Sequence, residues 1–384
     1  MTLHFHPEEY ERRQLETRAR MEAERLDGLV LFKQESMYYL TGYDTAGYTM
    51  FQAMYFGADG SIALLTRSAD AYQAAFTSLV EDVRVWVDRE GANPALDLRD
   101  LLESYGCRGK RLGVEYHAYG LTAQRGKMVE AALEGFCELI DASDLVRLVR
   151  LVKSPAELDY LRRAGRLADE ALDVANRLAR PGTAVGTIYG EMMRTVTAGD
   201  GDPPASRWPM GAGDEALLVR YHTGHRDVGN NDQVMFEFGA AFRHYHALTM
   251  HAVLTGRASD RHRRMFDACR AALDACEERL RPGNTVGDIF DAHARALENG
   301  GFAGHYLNAC GYTVGIAYPP TWMDWPMLWR GNPQPLEPGA VYFMHMILLD
   351  RESGCAMALG ETAIVTAGPC EPITHAPREL VVNQ

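Results

Sequence analysis

The chain has 384 residues, of which 47% are hydrophobic and 24% charged, a balance that predicts a packed two-domain protein and excludes disordered and fibrous classes. Its formal net charge of -13 argues against nucleic acid and anionic membranes as partners, because both require clustered Lys and Arg. No apolar run approaches the roughly 20 residues of a membrane span, and the N-terminal segment lacks the apolar run of a signal peptide, so we expect a cytoplasmic protein.

Short apolar segments alternate with helical patterns between about residues 26 and 146. Strand-like runs occupy residues 29–32, 61–65, 83–87 and 112–115, and Asp59-Gly60 supplies a hairpin turn before the second run. This alternation predicts an N-terminal α/β domain with a mixed sheet, which we place at residues 1–152.

A helix-start signal opens the second predicted domain, residues 153–384. Ser154 can cap a helix, Pro155 suits its first position, and Glu157 completes a capping box. Because an apolar stripe then continues towards Leu178, the pattern predicts a long amphipathic helix.

An internal repeat follows this helix. Residues 180–188 (RPGTAVGTI) recur as residues 281–289 (RPGNTVGDI), and a helical pattern flanks the Pro-Gly turn on both sides in each copy. A strand-like segment comes after each copy, at residues 233–238 and 340–349. We therefore expect two related halves around a shared cleft, where polar groups from both halves can converge.

These motifs carry a family resemblance. The helix pairs ending in Arg-Pro-Gly, with the segments FEFGAAFRHYH (236–246), LEPGAVYF (336–343) and LGETAIVT (359–366), resemble the pita-bread family of creatinase, prolidase and methionine aminopeptidase. The preceding domain resembles the N-terminal domain of the creatinase and prolidase branch. The resemblance implies an α/β (α+β) protein with a creatinase-type N-terminal domain and a pseudo-two-fold pita-bread catalytic domain.

The resemblance also identifies where metal-dependent members hold two metals, with Asp, Asp, His, Glu and Glu as ligands. The corresponding positions in this sequence are Glu237, Leu248, Tyr312, His345 and Gly360, so none of the five ligands is unchanged. We therefore expect neither a dinuclear centre nor any other cofactor. A single metal held by Glu237, His246, His345 and Glu361 is the alternative that the sequence leaves open.

Two branches of the family work without metal, creatinase and ectoine hydrolase. The segment Gly311-Tyr312-x-x-Gly315-x-x-Tyr318-Pro319-Pro320-x-Trp322 resembles ectoine hydrolase more closely. Both metal-free enzymes carry a His seventeen residues before the first ligand position, and residue 220 is Arg in this chain. The substrate is therefore expected to differ from creatine and from ectoine.

The predicted catalytic residues are Glu237, His345, His246 and Tyr312. Glu237 lies among apolar neighbours, so its carboxylate should be enclosed and its pKa raised, as suits a general base, an acid or a nucleophile. His345 would supply the acid that protonates a leaving amine. The alternative interpretations are an ion pair between Glu237 and Arg220 or Arg243, and a core histidine at position 345.

The predicted substrate-binding residues divide by charge. Arg220 offers a bidentate fork for a carboxylate. Trp322, Asp324 and Trp325 place two aromatic rings around one acid, a combination that binds cations, although these tryptophans could instead pack a dimer interface. His222, from a histidine-dense segment, and Glu361, beside the last ligand position, complete the set.

Together these features predict a metal-independent hydrolase that cleaves a C–N bond, of an amidine, a guanidino compound or an amide, in a small zwitterionic metabolite. The alternatives are an Xaa-Pro metallopeptidase with an altered site, a lyase acting on a betaine-like substrate, and a non-catalytic peptidase-like binding protein. The expected partners are a small-molecule substrate and, by analogy with the family, a second copy of the chain.

Overall fold

The computed structural model describes residues 3–221 and 224–384, and its contacts divide the chain into two units, Met1–Arg150 and Leu151–Gln384. Within the described residues no helix is both long and apolar enough to cross a membrane.

The first unit is built on a six-stranded mixed sheet with strand order β4-β3-β2-β1-β5-β6. Strand β2 runs antiparallel to β1 and β3, and the other pairs are parallel. The Asp59-Gly60 hairpin and the mixed sheet were predicted, and the structure has both. The elements are α1 (Pro7–Ala23), β1 (Gly28–Leu31), α2 (Gln34–Thr41), β2 (Ala53–Gly57), β3 (Ile62–Thr66), α3 (Ser68–Thr77), β4 (Asp82–Val85), α4 (Pro94–Ser104), β5 (Arg111–Val114), α5 (Ala123–Leu133), β6 (Glu138–Asp141) and α6 (Leu145–Val149).

The second unit begins with the predicted helix. Ser154 accepts a hydrogen bond from the Glu157 backbone N–H, and the Glu157 carboxylate accepts one from the Ser154 backbone N–H, which completes the capping box. The elements of this unit are α7 (Pro155–Leu178), α8 (Val185–Ala198), β7 (Met210–Ala212), β8 (Gln233–Phe242), β9 (Tyr245–Thr255), α9 (Asp260–Arg279), α10 (Val286–Asn299), β10 (Ala309–Thr313), β11 (Asp324–Trp329), β12 (Val341–Asp350), β13 (Cys355–Ile364), β14 (Glu371–Pro372) and β15 (Val381–Asn383).

The two predicted halves are present in this unit. In the first half α7 and α8 precede the β8–β9 hairpin, and in the second half α9 and α10 precede the β12–β13 hairpin. The main sheet has the order β11-β10-β12-β13-β9-β8-β7, so the hairpins meet where β13 pairs with β9. Helix α7 packs on β8 and β9, and helix α9 packs on β12 and β13. The helices thus cover one face of the sheet at the junction between the halves.

The register across this junction fixes one row of four residues. His345 on β12 pairs with Gly360 on β13, Gly360 with Met250 on β9, and Met250 with Glu237 on β8. Because directly opposed residues on paired strands project from the same face, Glu237 and His345 share one face of the sheet. One residue from each half is thereby placed on the same side of the central strands.

Candidate active site

A cavity of about 160 Å³ lies over this face of the sheet. We call it the inner cavity. Five of the predicted site residues line it: Arg220, Glu237, Tyr312, Trp322 and His345. The structure thus brings together residues that are far apart in sequence and that come from both halves of the unit.

A chain of hydrogen bonds leads to the Glu237 carboxylate. The Trp322 indole N–H donates to the Tyr312 hydroxyl oxygen at 2.9 Å, and the Tyr312 hydroxyl donates to Glu237 Oε1 at 3.3 Å. Trp322 and Tyr312 are both buried, at 3% and 2% exposure, so bulk water does not compete for these bonds. The indole occupies the acceptor side of the hydroxyl, which leaves the hydroxyl proton free to point at the carboxylate.

Burial raises the pKa of Glu237 to about 7, and the Tyr312 hydrogen bond and the positive charge of Arg220 only partly oppose this rise. The Glu237 carboxylate accepts its hydrogen bond from the neutral Tyr312 hydroxyl, and Arg220 acts on it through its positive charge. A carboxyl group with a pKa near 7 exists in both protonation states at neutral pH, as a proton-transfer group requires.

His345 packs in a triangle of rings with Tyr312 and Phe343, whose ring centroids lie 5.6 to 5.9 Å apart. Burial, together with the positive charge of Arg220, lowers the pKa of His345 to about 4. The imidazole is therefore neutral near pH 7. No described group hydrogen-bonds to its buried Nδ1 atom.

The side chains at the five family metal positions do not fit a two-metal centre. Leu248 and Gly360 offer no ligand atom, and the Leu248 side chain fills the space over Gly239, its partner on β8. A Cβ atom on Gly360 would lie 3.1 Å from the Met250 Cβ and 3.1 Å from the Phe343 ring. Two of the five positions are thus occupied by apolar packing that leaves no room for a carboxylate.

The alternative single-metal site is not assembled either. In the described ranges no group of three or more His, Cys, Asp or Glu side chains is placed to hold a metal ion. His246 and Glu361 were two of the four side chains proposed for that site, and neither lies beside Glu237 and His345. His246 is farther along its strand, and Glu361 points to the opposite face of the sheet.

His246 was predicted as a catalytic residue, but the structure places it outside the inner cavity. It lies four residues along β9 from Met250, roughly 13 Å from the row that contains Glu237. Its Nε2 accepts a hydrogen bond from the Ala205 backbone N–H at 2.9 Å, so its Nδ1 carries the proton and donates to the His244 carbonyl at 2.8 Å. Burial lowers the pKa of His246 to about 4, so this neutral form persists at pH 7.

Glu361 was predicted to bind substrate, and the structure corrects this because side chains alternate along a strand. Gly360 faces the inner cavity, and Glu361 therefore faces the helix-covered side of the sheet. Its carboxylate accepts hydrogen bonds from the Ala376 backbone N–H at 2.8 Å and from Arg378 Nη2 at 2.9 Å. Glu361 is 2% exposed and belongs to an ion-pair cluster with Arg378 and Glu277.

The predicted cation site of two tryptophans around one acid is not formed. Trp322 is buried, whereas Trp325 is 46% exposed on the edge strand β11. Neither Asp324 nor Trp325 lines the inner cavity. His222, the remaining predicted residue, lies outside the described residues.

Sequence reasoning missed other residues of the cavity wall. Ser206, Pro209 and Thr321 line the inner cavity from loops. The Pro209 carbonyl accepts a hydrogen bond from the Glu237 backbone N–H at 2.9 Å, which fixes this loop beside the carboxylate. No periodic pattern marks such loop residues, and only the density of prolines in residues 203–209 gave a signal of a constrained segment.

Comparison with known proteins follows the same division of the chain. Residues 159–367 match the model of metallopeptidase family M24, and residues 13–152 match that of the creatinase/prolidase N-terminal domain. An uncharacterized hydrolase/peptidase of Sinorhizobium fredii is 30% identical over 393 aligned positions, covering 99% of each chain. The ectoine hydrolase of Halomonas elongata is 26% identical over 400 aligned positions, covering 100% of this chain and 99% of that one.

Among solved structures, the dipeptidase PepE of Mycobacterium ulcerans superposes with a TM-score of 0.85 at 22% identity, covering 98% of this chain and 99% of that one. At this identity the likeness establishes the fold. The two-domain architecture with a pita-bread C-terminal domain, expected from the sequence, is confirmed.

Proposed function

Since the chain belongs to metallopeptidase family M24, a family of hydrolases, we propose that it hydrolyses a C–N bond in a small zwitterionic metabolite without a bound metal. The observation that carries the proposal is the enclosed Glu237 carboxylate, hydrogen-bonded by Tyr312 in a cavity that also holds Arg220 and His345. The similarity to an ectoine hydrolase supports a non-peptide substrate.

The chemistry follows from the placement of these groups. Ionised Glu237 removes a proton from a water molecule, and the water oxygen adds to the carbon of the amidine, guanidino or amide group. The C–N bond then breaks, and the leaving nitrogen takes the proton from Glu237, which returns to its ionised form. One water is consumed and one C–N bond is cleaved, which yields a free amine, or an amino group on the same molecule when the substrate is cyclic.

Arg220 and Tyr312 assist this cycle in different ways. The guanidinium of Arg220 binds the substrate carboxylate and fixes the position of the scissile bond over Glu237. The Tyr312 hydroxyl holds the carboxylate in one orientation, and its hydrogen bond partly offsets the rise in pKa that burial causes.

His345 has a revised role. The sequence suggested the acid that protonates a leaving amine, but an imidazole whose pKa is lowered to about 4 carries no extra proton near pH 7. We propose that neutral His345 hydrogen-bonds the water or the leaving nitrogen. The protonated Glu237 carboxyl is then the proton donor in the second step.

A metallopeptidase of the Xaa-Pro type is the less favoured function. Leu248 and the packing around Gly360 remove two carboxylate ligands from the family set that holds two metals.

The test is a substrate screen with product identification. Purified protein is assayed with ectoines, creatine, betaines and Xaa-Pro dipeptides, and amine release is measured for the wild type, Glu237→Gln and His345→Ala. We expect release of an amine from a non-peptide substrate, abolished by Glu237→Gln and strongly reduced by His345→Ala. Unchanged turnover of the true substrate by both variants would refute the proposal, and an unsaturated product would indicate a lyase.

A further inference from the structure

A second cavity of about 630 Å³ adjoins the inner cavity, and we call it the outer cavity. The two cavities share Ser206, Pro209 and Arg220 in their walls. The hydrolysis proposed above uses only the inner cavity, so the outer one has no assigned role. A ligand whose carboxylate binds Arg220 can therefore contact the walls of both cavities.

One wall of the outer cavity is a loop, residues 202–209, that is tied to the β8–β9 hairpin along its length. The Asp202 backbone N–H donates to the Ala241 carbonyl at 2.8 Å, and the Ala205 N–H donates to His246 at 2.9 Å. The Trp208 indole N–H donates to the Gly239 carbonyl at 3.0 Å. With the Glu237 bond to Pro209 described above, these contacts hold the loop in one position before any ligand arrives.

The opposite wall is tied to the same hairpin. The Ala317 backbone N–H donates to the His244 carbonyl at 3.1 Å, and the Tyr318 ring stacks on the His244 ring with centroids 4.3 Å apart. These contacts position Pro319 and Pro320, which line the cavity. The β8–β9 hairpin thus contacts both walls of the outer cavity, one through His246 and the other through His244.

The chemistry of the lining defines what the outer cavity can accept. Its surface combines prolines, Met193 and the Tyr189 ring, which packs against Trp208 at a centroid distance of 5.2 Å. Its charged groups are Arg207 and Arg220, and no acidic side chain lines it in the described part of the chain. Apolar walls bind hydrocarbon or aromatic groups, and two guanidinium groups repel a cation.

We propose that the outer cavity is a subsite for an apolar, non-cationic substituent next to the scissile C–N bond. The inference rests on the proposed hydrolase function and narrows its substrate class. The substrate is an extended molecule, with a carboxylate at Arg220, a reacting carbon at Glu237, and an alkyl, acyl or aryl group between Met193 and Pro319-Pro320. The position of Arg220 between the two cavities accounts for this arrangement, because one carboxylate contact there orients both parts of the ligand.

A matched substrate series tests the proposal. A cyclic amidino acid, a guanidino acid and an N-acyl amino acid are each prepared with a methyl, a pentyl or an aminopentyl group beside the scissile bond. For the head group that is hydrolysed, we expect kcat/KM to rise at least about tenfold from methyl to pentyl, because the added methylenes leave water. The aminopentyl compound should show no such gain.

Two variants on helix α8 locate the effect. Met193→Trp places a larger, rigid side chain where the pentyl group would bind and is expected to reduce the pentyl-to-methyl ratio to about one. Arg194→Trp places the same side chain on an exposed position of the same helix, outside the cavity, and should leave the ratio and the activity unchanged. A ratio that survives Met193→Trp would contradict the assignment of the subsite.

The two possible failures are distinguishable. If a methyl compound is hydrolysed and its pentyl analogue is no better, the subsite is refuted and the hydrolase function stands. If no head group is hydrolysed in any form, the proposed function is refuted and the subsite with it.

Discussion

Two buried carboxylates on opposite faces of one sheet show how the protein separates stability from chemistry. Glu361 faces the helices and accepts hydrogen bonds from Arg378 and from a backbone N–H. Glu237 faces the inner cavity and receives one neutral hydroxyl hydrogen bond from Tyr312. Burial raises the pKa of both groups. A buried carboxylate held within an ion-pair cluster contributes to structure, whereas one held by a neutral hydroxyl next to a cavity is available for proton transfer.

The largest expected effect comes from removing the charge of Glu237. Glu237→Gln should reduce kcat/KM by about 10³-fold, because an amide cannot accept the proton from water. Its melting temperature at pH 8 should not fall, since the variant removes an unfavourable buried charge. Turnover of the substrate and thermal unfolding check the two expectations.

Glu361→Gln is the matched control on the other face. It should keep kcat/KM within about twofold and lower the free energy of unfolding by about 1–2 kcal/mol, because the Arg378 pair is lost while Arg378 stays partly solvated. Loss of activity at unchanged stability in this variant would contradict the separation of the two faces.

Removing the hydroxyl that orients Glu237 should have the next largest effect. Tyr312→Phe is expected to lower kcat/KM by about 10- to 100-fold and to raise the pKa of Glu237, because the hydrogen bond that lowers it is gone. Trp322→Phe should act in the same direction but more weakly, since it leaves the hydroxyl in place. The pH dependence of kcat/KM for both variants checks the order, and an unshifted profile in Tyr312→Phe would argue against the hydrogen-bond chain.

The pH profile of the wild type follows from the same carboxylate. Because the reaction needs ionised Glu237 and its pKa is about 7, kcat/KM should fall about tenfold per pH unit below that value. The effect on stability has the opposite sign. A carboxyl group whose pKa is raised on folding stabilises the fold at low pH, and this contribution is lost as pH rises from about 4.5 to about 7. Unfolding measured across this range should show that loss in the wild type and a smaller loss in Glu237→Gln.

A smaller effect is expected from the histidine that holds the loop. His246→Ala leaves the buried Ala205 N–H without its acceptor and should cost about 1–3 kcal/mol of unfolding free energy. We expect kcat/KM to fall less than tenfold. His246→Gln, which restores an acceptor, should recover part of the stability, and a loss of activity as large as that of Glu237→Gln would instead place His246 in the chemistry.

The sequence predicted the elements whose signals are local. Ser154, Pro155 and Glu157 mark a helix start within four residues, and the Arg-Pro-Gly repeat marks both helix pairs, so the halves followed directly. Glu237 and His345 were predicted from the family positions that they occupy and from their apolar strand neighbours, and both line the inner cavity.

Other site predictions depended on partners that no local pattern reveals. Glu361 follows Gly360, which occupies a family metal position. Because side chains alternate along a strand, Glu361 points to the opposite face of the sheet. His246 shares a face of the sheet with Glu237, but its Nε2 atom already accepts a hydrogen bond from the Ala205 N–H, 41 residues earlier in the chain. Trp322 and Trp325 are three residues apart, and only the path of the loop into β11 buries one and exposes the other.

The central claim is that the inner cavity catalyses hydrolysis with Glu237 and without a metal. The most direct test measures turnover of the identified substrate by chelator-treated, dialysed protein, with the metal content of the same sample determined by mass spectrometry. We expect full activity at less than about one metal ion per ten chains. Activity that disappears with the metal and returns with Mn²⁺ or Zn²⁺ would contradict it.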